Sequence, residues 1–396
     1  MAAEVLATHG AAVTVFDHMP SVGRKLLLAG RSGLNLTHGE PLDQLLDRYG
    51  EARAFLEPAI RAFPPDELAV WAASLGEPTF VGTSGRVFPA SLRATPLLRA
   101  WLARLSSLGV EFRTRRRWTG CGEDPLTVRL LVGSGDPEAG RSEEVAVDAV
   151  VLALGGASWP RVGSTGTWLS ILRGWGVEVT PLRASNCGVD VAWTDTFRDR
   201  FVGQPIKNAA WTVGGQTFRG EAVVTRTGLE GGAVYALGPD IRAALDAHGS
   251  ATVWLDLHPD LGHDRLIERL SRRRPKDSVS TTLGRAGFGD VAAGLLREAT
   301  GNRVPTDPAE LAALAGAVPI QVVATRPLDR AISTAGGVAL AEVDERYGLR
   351  RRPGVFVCGE MLDWDAPTGG YLLQASFSTA VAAARGALAA SGAAPL

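Results

Sequence analysis

The chain has 396 residues, of which 45% are hydrophobic and 21% charged, and this balance excludes a disordered chain, a collagen-like fibre and a coiled coil. Its 41 basic and 42 acidic residues give a net charge of −1, so bulk charge offers no reason to expect nucleic-acid binding or attraction to an anionic membrane. The length favours two domains, or one domain with a large insertion.

The distribution of cysteine and apolar residues restricts the class of protein further. Cys121, Cys187 and Cys358 lie far apart, so neither a disulfide framework nor a zinc site is expected, and no metal cluster is predicted. A reducing cytoplasm is the expected location. No apolar run reaches the roughly 18 residues of a membrane span, and no signal peptide is expected.

The first elements predict the second half of a βαβ dinucleotide-binding unit. Residues 2–8 favour a helix, Gly10 is suited to end it, and residues 12–16 form a short apolar strand before Asp17. In such a unit an acid at this point binds a ribose hydroxyl, about 20 residues after a glycine-rich turn. Asp17 is therefore a candidate cofactor-binding residue, and the first strand and its turn are expected upstream of Met1. An ordinary surface helix and strand explain this segment equally well.

Residues 21–38 are expected to form a glycine-punctuated loop that binds part of a cofactor, with a solvated turn as the alternative. Arg24 and Lys25 could neutralise a pyrophosphate, and the short polar side chains of the segment could lie near a bound ring. The candidate residues in this loop are Gly23, Arg24, Lys25, Gly30, Ser32, Gly33, Asn35 and Thr37. His38 is placed for proton transfer or has a plain surface role.

The next segments predict helices over residues 41–76, with breaks at Pro58, Pro64 and Pro65, and an amphipathic helix over residues 97–108. Strands are predicted at 110–118, 126–132 and 145–154. The last strand runs into Gly155 and Gly156, where the absence of Cβ atoms would let the chain pass close to a cofactor.

Residues 182–330 differ in pattern from the segments on either side, because short strand-like runs are followed by helical stretches. This pattern predicts an inserted β-plus-helical domain. Strands are expected near 186–193, 209–215, 221–228 and 251–257, and helices near 262–270, 288–299 and 308–315. The predicted domains are thus 1–181 and 331–396, which together bind the cofactor, and 182–330 on the substrate side.

The C-terminal segment predicts a second part of the same cofactor site. A buried strand at 355–358 leads to Gly359 and Glu360, whose carboxylate suits ribityl hydroxyls. A small-residue helix over 375–390 would direct its positive end at the N1/C2=O edge of a flavin. The candidates before and in this helix are Thr368, Gly369, Gly370, Tyr371 and Gln374, while Trp159 and Trp364 would border the ring. A tightly packed helix without a ligand is the alternative.

Four segments together resemble a bacterial family of FAD-binding oxidoreductases, the aminoacetone-oxidase-type flavoproteins. They are GRKLLLAGRSGLNLTH, LALGGASWP, STAGGV and GEMLDWDAPTGGYLLQASFSTA, in the family's order over nearly the whole chain. The resemblance implies an α/β fold with a Rossmann-like FAD-binding domain of the two-dinucleotide-binding, glutathione-reductase-like type, which carries an inserted domain. It also implies FAD as cofactor, and for some members reduction of conjugated C=C bonds. Most relatives have cysteine where this chain has Leu34, so thiol chemistry is not expected there.

The sequence therefore predicts an FAD-dependent oxidoreductase that transfers hydride through flavin N5 to a small substrate, with Asn35 and Thr37 as catalytic candidates. No second G-x-G-x-x-G follows, so NAD(P)H would be a transient electron donor. Without the first strand, we expect the chain that begins at Met1 to bind FAD poorly. The alternatives are a non-catalytic remnant or partner-binding module, and an RNA-modifying flavoenzyme, for which the arginine runs at 115–117, 272–274 and 350–352 are the only sign. The oligomeric state is not predicted.

Overall fold

The computed structural model describes residues 1–30, 33–133, 140–274 and 276–392. The chain divides into two compact units, of which unit 1 comprises Met1–Arg183 with Ser333–Leu396 and unit 2 comprises Ala184–Ile332. The chain passes from unit 1 to unit 2 after Arg183 and returns to unit 1 after Ile332. Each position lies two residues after the domain boundary expected from the sequence.

The helices, in chain order, are α1 (Ala2–Thr8), α2 (Arg24–Ala29), α3 (Leu42–Asp47), α4 (Arg53–Ala62), α5 (Pro65–Ser74), α6 (Ala94–Ser107), α7 (Trp168–Gly174), α8 (Asp195–Phe201), α9 (Gly232–Ala236), α10 (Gly238–His248), α11 (His263–Ser271), α12 (Val279–Ala286), α13 (Asp290–Ala299), α14 (Pro308–Gly316) and α15 (Tyr371–Ala390). Among the described residues, none of these helices is both long and apolar enough to cross a membrane.

The strands are β1 (Thr14–Asp17), β2 (Thr37–His38), β3 (Thr79–Val81), β4 (Arg86–Pro89), β5 (Glu111–Thr114), β6 (Arg116–Cys121), β7 (Thr127–Val132), β8 (Arg141–Ala146), β9 (Val150–Leu152), β10 (Val179–Ser185), β11 (Val189–Val191), β12 (Pro205–Val213), β13 (Gln216–Val224), β14 (Gly228–Glu230), β15 (Ala251–Asp256), β16 (Val318–Thr325), β17 (Ser333–Val338) and β18 (Val355–Val357). In unit 1, β1 pairs with β5 and β9 with β18, both in parallel. The strands β2-β4-β3 and β6-β7-β8 form two further sheets, and β10 pairs with β17.

The core of unit 1 lies around the parallel pair β9–β18. Every residue of β18 is buried, as are Val150 and Leu152 of β9, which is the pattern of strands covered on both faces. Helix α15 packs on this pair through small side chains, and alanines such as Ala375 and Ala383 are fully buried there. The sheet therefore fixes the ends of β9 and β18 side by side, where the glycine-rich turns begin.

Unit 2 is built on a closed barrel of six antiparallel strands in the order β11-β14-β13-β12-β15-β16. Buried and exposed residues alternate along β15 and β16, and the inward residues pair across the two strands, as Val253 does with Ile320 and Leu255 with Val318. This alternation is the usual pattern of a barrel whose interior is filled by side chains. The helices of unit 2 complete its apolar core.

Three sequence-based predictions of secondary structure were wrong. Residues 21–38 are not a loop throughout: α2 forms because its sequence RKLLLA consists of good helix formers, and β2 begins at Thr37. Pro58 does not break the chain but lies inside α4, where buried Leu56 and Ile60 offset the one lost backbone hydrogen bond. Helix α15 begins at Tyr371 rather than at 375.

Candidate functional site

The centre of the candidate site is the carboxylate of Glu360, directly after β18. Its Oε2 accepts hydrogen bonds from Lys25 Nζ at 2.6 Å and from the Gly156 N–H at 3.1 Å. Its Oε1 accepts from the Thr334 N–H at 2.9 Å. The ammonium of Lys25 also donates to two buried serines, Ser158 at 2.9 Å and Ser164 at 3.3 Å. We call these six residues the Glu360 cluster: Lys25, Gly156, Ser158, Ser164, Thr334 and Glu360.

The parallel register of β9 and β18 explains why this cluster forms. Val357 lies opposite Leu152, so both strands end at the same edge of the sheet. Their carboxyl ends bring Gly155–Gly156 next to Gly359–Glu360, and ligands of open α/β sheets bind at such an edge. The sequence predicted both turns as cofactor-binding, and the structure brings them together.

The two glycines after β9 are required by protein contacts and not only by a cofactor. A Cβ at Gly156 would meet Thr334 Oγ1 and lie 3.1 Å from the carboxylate carbon of Glu360. Gly155 has a φ of +71°, and its carbonyl accepts from Trp168 Nε1 at 2.9 Å. The packing inside the Glu360 cluster already demands glycine at Gly156, and contact of the two glycines with a cofactor stays a prediction.

Asn35 and Thr37 present two buried acceptor atoms that have no partner in the part of the chain that the structure describes. They alternate with Leu34 and Leu36, which are fully buried in an apolar cluster with α5 and α6. Side chains of an extended chain alternate between two faces, so the two leucines direct the polar pair to the opposite face. Asn35 Oδ1 and Thr37 Oγ1 are both buried and make no hydrogen bond among the described residues. A buried polar atom without a partner is costly, which points to a ligand that supplies one.

The start of α15 lies against the backbone of Thr37. A Cβ at Gly370 would lie 2.5 Å from Thr37 Cα and closer still to its carbonyl group, and Gly370 has a φ of +104°. Gly370 is thus glycine because α15 begins in contact with β2. The contact with Thr37 alone would exclude a larger side chain here, and contact of Gly370 with a bound ring stays a prediction.

Tyr371 and His38 contact a second polar group, which consists of the Glu40 carboxylate and the Arg48 guanidinium. The Tyr371 hydroxyl donates to Glu40 Oε1 at 2.7 Å, and Arg48 holds the same carboxylate through two hydrogen bonds. Burial opposes ionisation of Glu40, but the hydrogen bonds from Arg48 and Tyr371 outweigh it and lower the pKa of this carboxyl. The His38 ring stacks on Tyr371.

Both ring nitrogens of His38 have protein partners, one two residues away in sequence and the other 46 residues away. Nδ1 accepts from the Glu40 N–H at 3.2 Å, and Nε2 lies 3.2 Å from the Ser84 carbonyl. His38 is therefore held in a structural role, which disfavours the proton-transfer role considered from the sequence.

Two further candidates point into the protein. Gln374 is fully buried, and its Nε2 donates to the Phe63 carbonyl at 2.8 Å and to Ser378 at 3.0 Å. Trp364 is buried and donates to the Gly359 carbonyl at 2.8 Å. Their nitrogen donors are thus used in packing α15 and the turn after β18, and the placement of either side chain beside a ring stays a prediction.

The remaining candidates lie where the sequence placed them, at element ends. Asp17 ends β1, and its Oδ1 accepts from the Met19 N–H at 2.8 Å, while its Oδ2 accepts no hydrogen bond from any described residue. Gly23 and Gly30 flank α2, where added Cβ atoms would lie 2.6 Å from Leu98 and 2.5 Å from the Ala94 Cβ.

Arg24, in the first turn of α2, has no hydrogen bond or ion pair among the described residues. Gly33 has a φ of +111°. Thr368, Gly369 and Gly370 form the turn before α15. Ser32 lies outside the described residues.

Sequence analysis missed several residues of the site. Ser158, Ser164 and Thr334 belong to the Glu360 cluster, and the only signal for them was their place in or just after the motifs LALGGASWP and STAGGV. Arg86 on β4 was also missed. Its Nε lies 3.9 Å from the point where a Gly369 Cβ would stand, and its side chain has no partner among the described residues.

Thiol or metal chemistry finds no support among the described residues. The three cysteines are buried and form no disulfide among the described residues, and burial raises the pKa of the Cys358 thiol to about 12. No group of three or more histidine, cysteine, aspartate or glutamate side chains suited to a metal ion occurs in the part of the chain that the structure describes.

Over residues 1–386 the chain matches the family described as HI0933-like protein Rossmann domain. The chain belongs to this family. It is 24% identical to 3-dehydro-bile acid delta(4,6)-reductase of Clostridium scindens, over 95% of this chain and 93% of that protein. It is 23% identical to ribosomal RNA dihydrouridine synthase of Haemophilus influenzae, over 71% of this chain and 67% of that protein.

A solved structure with the same fold is 3-ketosteroid delta1-dehydrogenase of Sterolibacterium denitrificans. Its TM-score is 0.51 at 12% identity, with 98% of this chain and 97% of that chain covered. The predicted Rossmann-type fold and the FAD-binding oxidoreductase family are thereby confirmed. As a member of this family the chain is an FAD-dependent oxidoreductase, which favours an enzyme over a non-catalytic remnant.

Proposed function

We propose that this protein reduces a conjugated C=C bond of a small organic substrate with FAD as its hydride carrier. The observation that carries the proposal is the pair of buried, unpartnered acceptors, Asn35 Oδ1 and Thr37 Oγ1, on β2 and the residues before it. The flavin ring system carries N–H and carbonyl groups, so it can satisfy such atoms. The similarity to the bile acid reductase of Clostridium scindens supports a conjugated substrate.

The residues present fit FAD. Among the described residues, Asp17 has a carboxylate oxygen without a hydrogen bond, which suits the adenosine ribose, and Arg24 is a cation without a partner. The first turn of α15 adds backbone N–H groups at the positive end of a helix of 20 residues. When bound, FAD supplies two-electron hydride chemistry at N5. The chain's part is to hold the cofactor, orient the substrate and exclude water.

We assign roles within the site on this basis. Asn35 and Thr37 bind and polarise the ring and are the residues expected to affect its reactivity. Glu360 was expected to bind ribityl hydroxyls, but three protein donors already occupy its carboxylate. We therefore propose that Glu360 shapes the turns around the cofactor. Arg86 would bind an electronegative group of the substrate, because its guanidinium lies near Gly369 and is not neutralised by a carboxylate among the described residues.

The electron donor in this proposal is NAD(P)H, which visits the flavin only transiently. The sequence contains no second glycine-rich dinucleotide motif that would hold a nicotinamide permanently. We expect reduction of the flavin to be slow and not to saturate at low micromolar donor.

The test is anaerobic stopped-flow kinetics at 450 nm in two half-reactions. NAD(P)H should bleach the flavin, and a dienone steroid should reoxidise the reduced protein, whereas a saturated analogue should not. Arg86→Met should weaken the response to the dienone without changing reduction by NAD(P)H. Reoxidation by oxygen alone, with no response to any conjugated acceptor, would contradict the proposed substrate class.

RNA is a second candidate substrate, favoured by one local feature of unit 2. The segment from α11 to α12 carries consecutive arginines at 272–274, in a protein whose net charge is only −1. Arg272 is paired with Glu268 and Arg285 with Asp277, which reduces the charge available to a phosphate backbone. The similarity to the ribosomal RNA enzyme of Haemophilus influenzae is the other support. Binding of ribosomal RNA that weakens steeply with salt, and is lost in a triple substitution of 272–274, would favour this candidate.

A further inference from the structure

The ammonium of Lys25 has no hydrogen left for a cofactor phosphate. A lysine side chain offers three N–H donors. In this structure they meet three acceptors, namely Glu360 Oε2 at 2.6 Å, Ser158 Oγ at 2.9 Å and Ser164 Oγ at 3.3 Å. The two serine side chains are buried, so these acceptors do not readily move aside. Lys25 is thus saturated within the protein.

The carboxylate of Glu360 needs this cation. Its side chain is only 15% exposed, and its oxygens accept from the N–H groups of Gly156 and Thr334 as well as from Lys25. Three donors thus converge on the two carboxylate oxygens, and the only charged donor among them is the Lys25 ammonium. A partly buried carboxylate that loses its counter-ion is strongly disfavoured.

Through Glu360 the ion pair sets the shape of the turn after β9. The Gly156 N–H is fixed by Glu360, and the next N–H, of Ala157, donates to Thr334 Oγ1 at 3.0 Å. The Thr334 N–H in turn donates to Glu360. One carboxylate therefore joins α2, the turn after β9, the start of β17 and the end of β18.

We infer that Lys25 is a positioning residue: it acts as the counter-ion of Glu360, which holds the Gly155–Gly156 turn and the start of β17 in shape, and it is not a phosphate ligand. This inference rests on the proposed function, because it concerns the turn that receives FAD. It reverses the assignment of Lys25 from sequence, and it leaves Arg24, the preceding residue of α2, as a cation without a partner among the described residues and hence available to an anion.

A double-mutant cycle separates a counter-ion from a phosphate ligand. The variants are Lys25→Met, Glu360→Gln and their combination, with Lys25→Arg as a charge-conserving variant. Lys25→Met and Glu360→Gln should each raise the FAD dissociation constant about 10- to 100-fold, because each leaves the other partner unpaired. The FAD dissociation constant of the double variant should lie within about 3-fold of that of the single variant that binds more weakly. The neutral amide that replaces the Glu360 carboxylate no longer needs the Lys25 ammonium. Lys25→Arg should restore most of the affinity.

Arg24→Met provides the matched comparison, because it removes the same charge one residue away with no link to Glu360. In the double variant of Arg24→Met and Glu360→Gln, the fold-changes of the two single variants in the FAD dissociation constant should multiply. The same cycles are measured on the apoprotein by urea denaturation, where Lys25 and Glu360 should also be non-additive and Arg24 and Glu360 additive. This second readout needs no flavin.

The outcomes are distinct. If the wild-type protein binds no FAD while the apoprotein cycle couples Lys25 to Glu360, the proposed function is wrong and the pairing of Lys25 with Glu360 stands. If FAD binds and the effects of Lys25→Met and Glu360→Gln multiply, Lys25 contacts the cofactor directly and the inference is wrong. Additive effects in the apoprotein would also overturn it.

Discussion

Replacing Gly370 by alanine tests whether the start of α15 is constrained by the protein itself or by a bound ring. The new Cβ would lie within 2.5 Å of Thr37 Cα, where real Cβ atoms are not found, at a φ of +104°. A left-handed backbone costs an L-residue about 1–2 kcal/mol, and forcing atoms apart in a packed interior costs about 1–3 kcal/mol more. We therefore expect Gly370→Ala to lower the free energy of unfolding of unit 1 by about 2–5 kcal/mol.

The matched control is Gly176→Ala, at a φ of +77° with no atom within 4 Å of the new Cβ. This variant has the backbone cost without the clash, so it should lose only about 1–2 kcal/mol. Both are measured on the apoprotein by urea denaturation, in the absence of flavin. Equal losses of unfolding free energy in Gly370→Ala and Gly176→Ala would refute the contact with Thr37. If Gly370→Ala kept its apoprotein stability but lost FAD binding, a bound ring would be the obstacle.

Three further predictions concern α1, the flavin site and the acid stability of unit 1. Glu4 accepts from two tryptophan indoles and an arginine, so Glu4→Leu should cost about 1–3 kcal/mol in urea denaturation and Glu4→Gln less; equal losses would contradict this role. Asp17→Asn keeps the turn to Met19 but should weaken FAD binding about 10-fold or more, whereas Asn35→Ala should retain FAD and change its reduction rate. Loss of FAD in Asn35→Ala together with full FAD binding in Asp17→Asn would contradict our placement of the cofactor. The pKa of Glu40 in the folded protein lies below its ordinary value of 4.5. The stabilisation by the ionised Glu40 carboxylate should therefore be present above pH 4.5 and be lost as the pH falls below that value. The stability difference between wild type and Glu40→Gln should therefore shrink on acidification, and a constant difference would refute this.

Local patterns predicted the elements that lie at the candidate site. Consecutive apolar residues identified β9 and β18, and the glycines after them located the two turns, because both signals depend on neighbours in sequence. Helices α11, α13 and α14 were expected close to their observed positions. Helices α8, α9, α10 and α12 of unit 2 were missed. Their stability comes from packing on the barrel, which a single sequence does not display.

The partners within the site could not be read from the sequence. Lys25 and Glu360 are 335 residues apart, and nothing in either motif indicates that one neutralises the other. The same holds for Tyr371 and Glu40, which meet only because α15 begins against β2. Sequence analysis therefore singled out Lys25, Glu360 and Gly370 but not their protein partners, because those partners are brought in by the fold; contact of these residues with the cofactor stays a prediction.

The most direct test of the central claim is the flavin content of the purified protein, expressed with any in-frame residues encoded upstream of Met1. After incubation with excess FAD and removal of the free cofactor, the bound flavin is measured by its absorbance near 450 nm per mole of folded chain. We predict about one FAD per chain, with a spectrum shifted from that of free FAD and bleached by dithionite. A folded protein that retains no flavin under these conditions would contradict the assignment of this site to FAD.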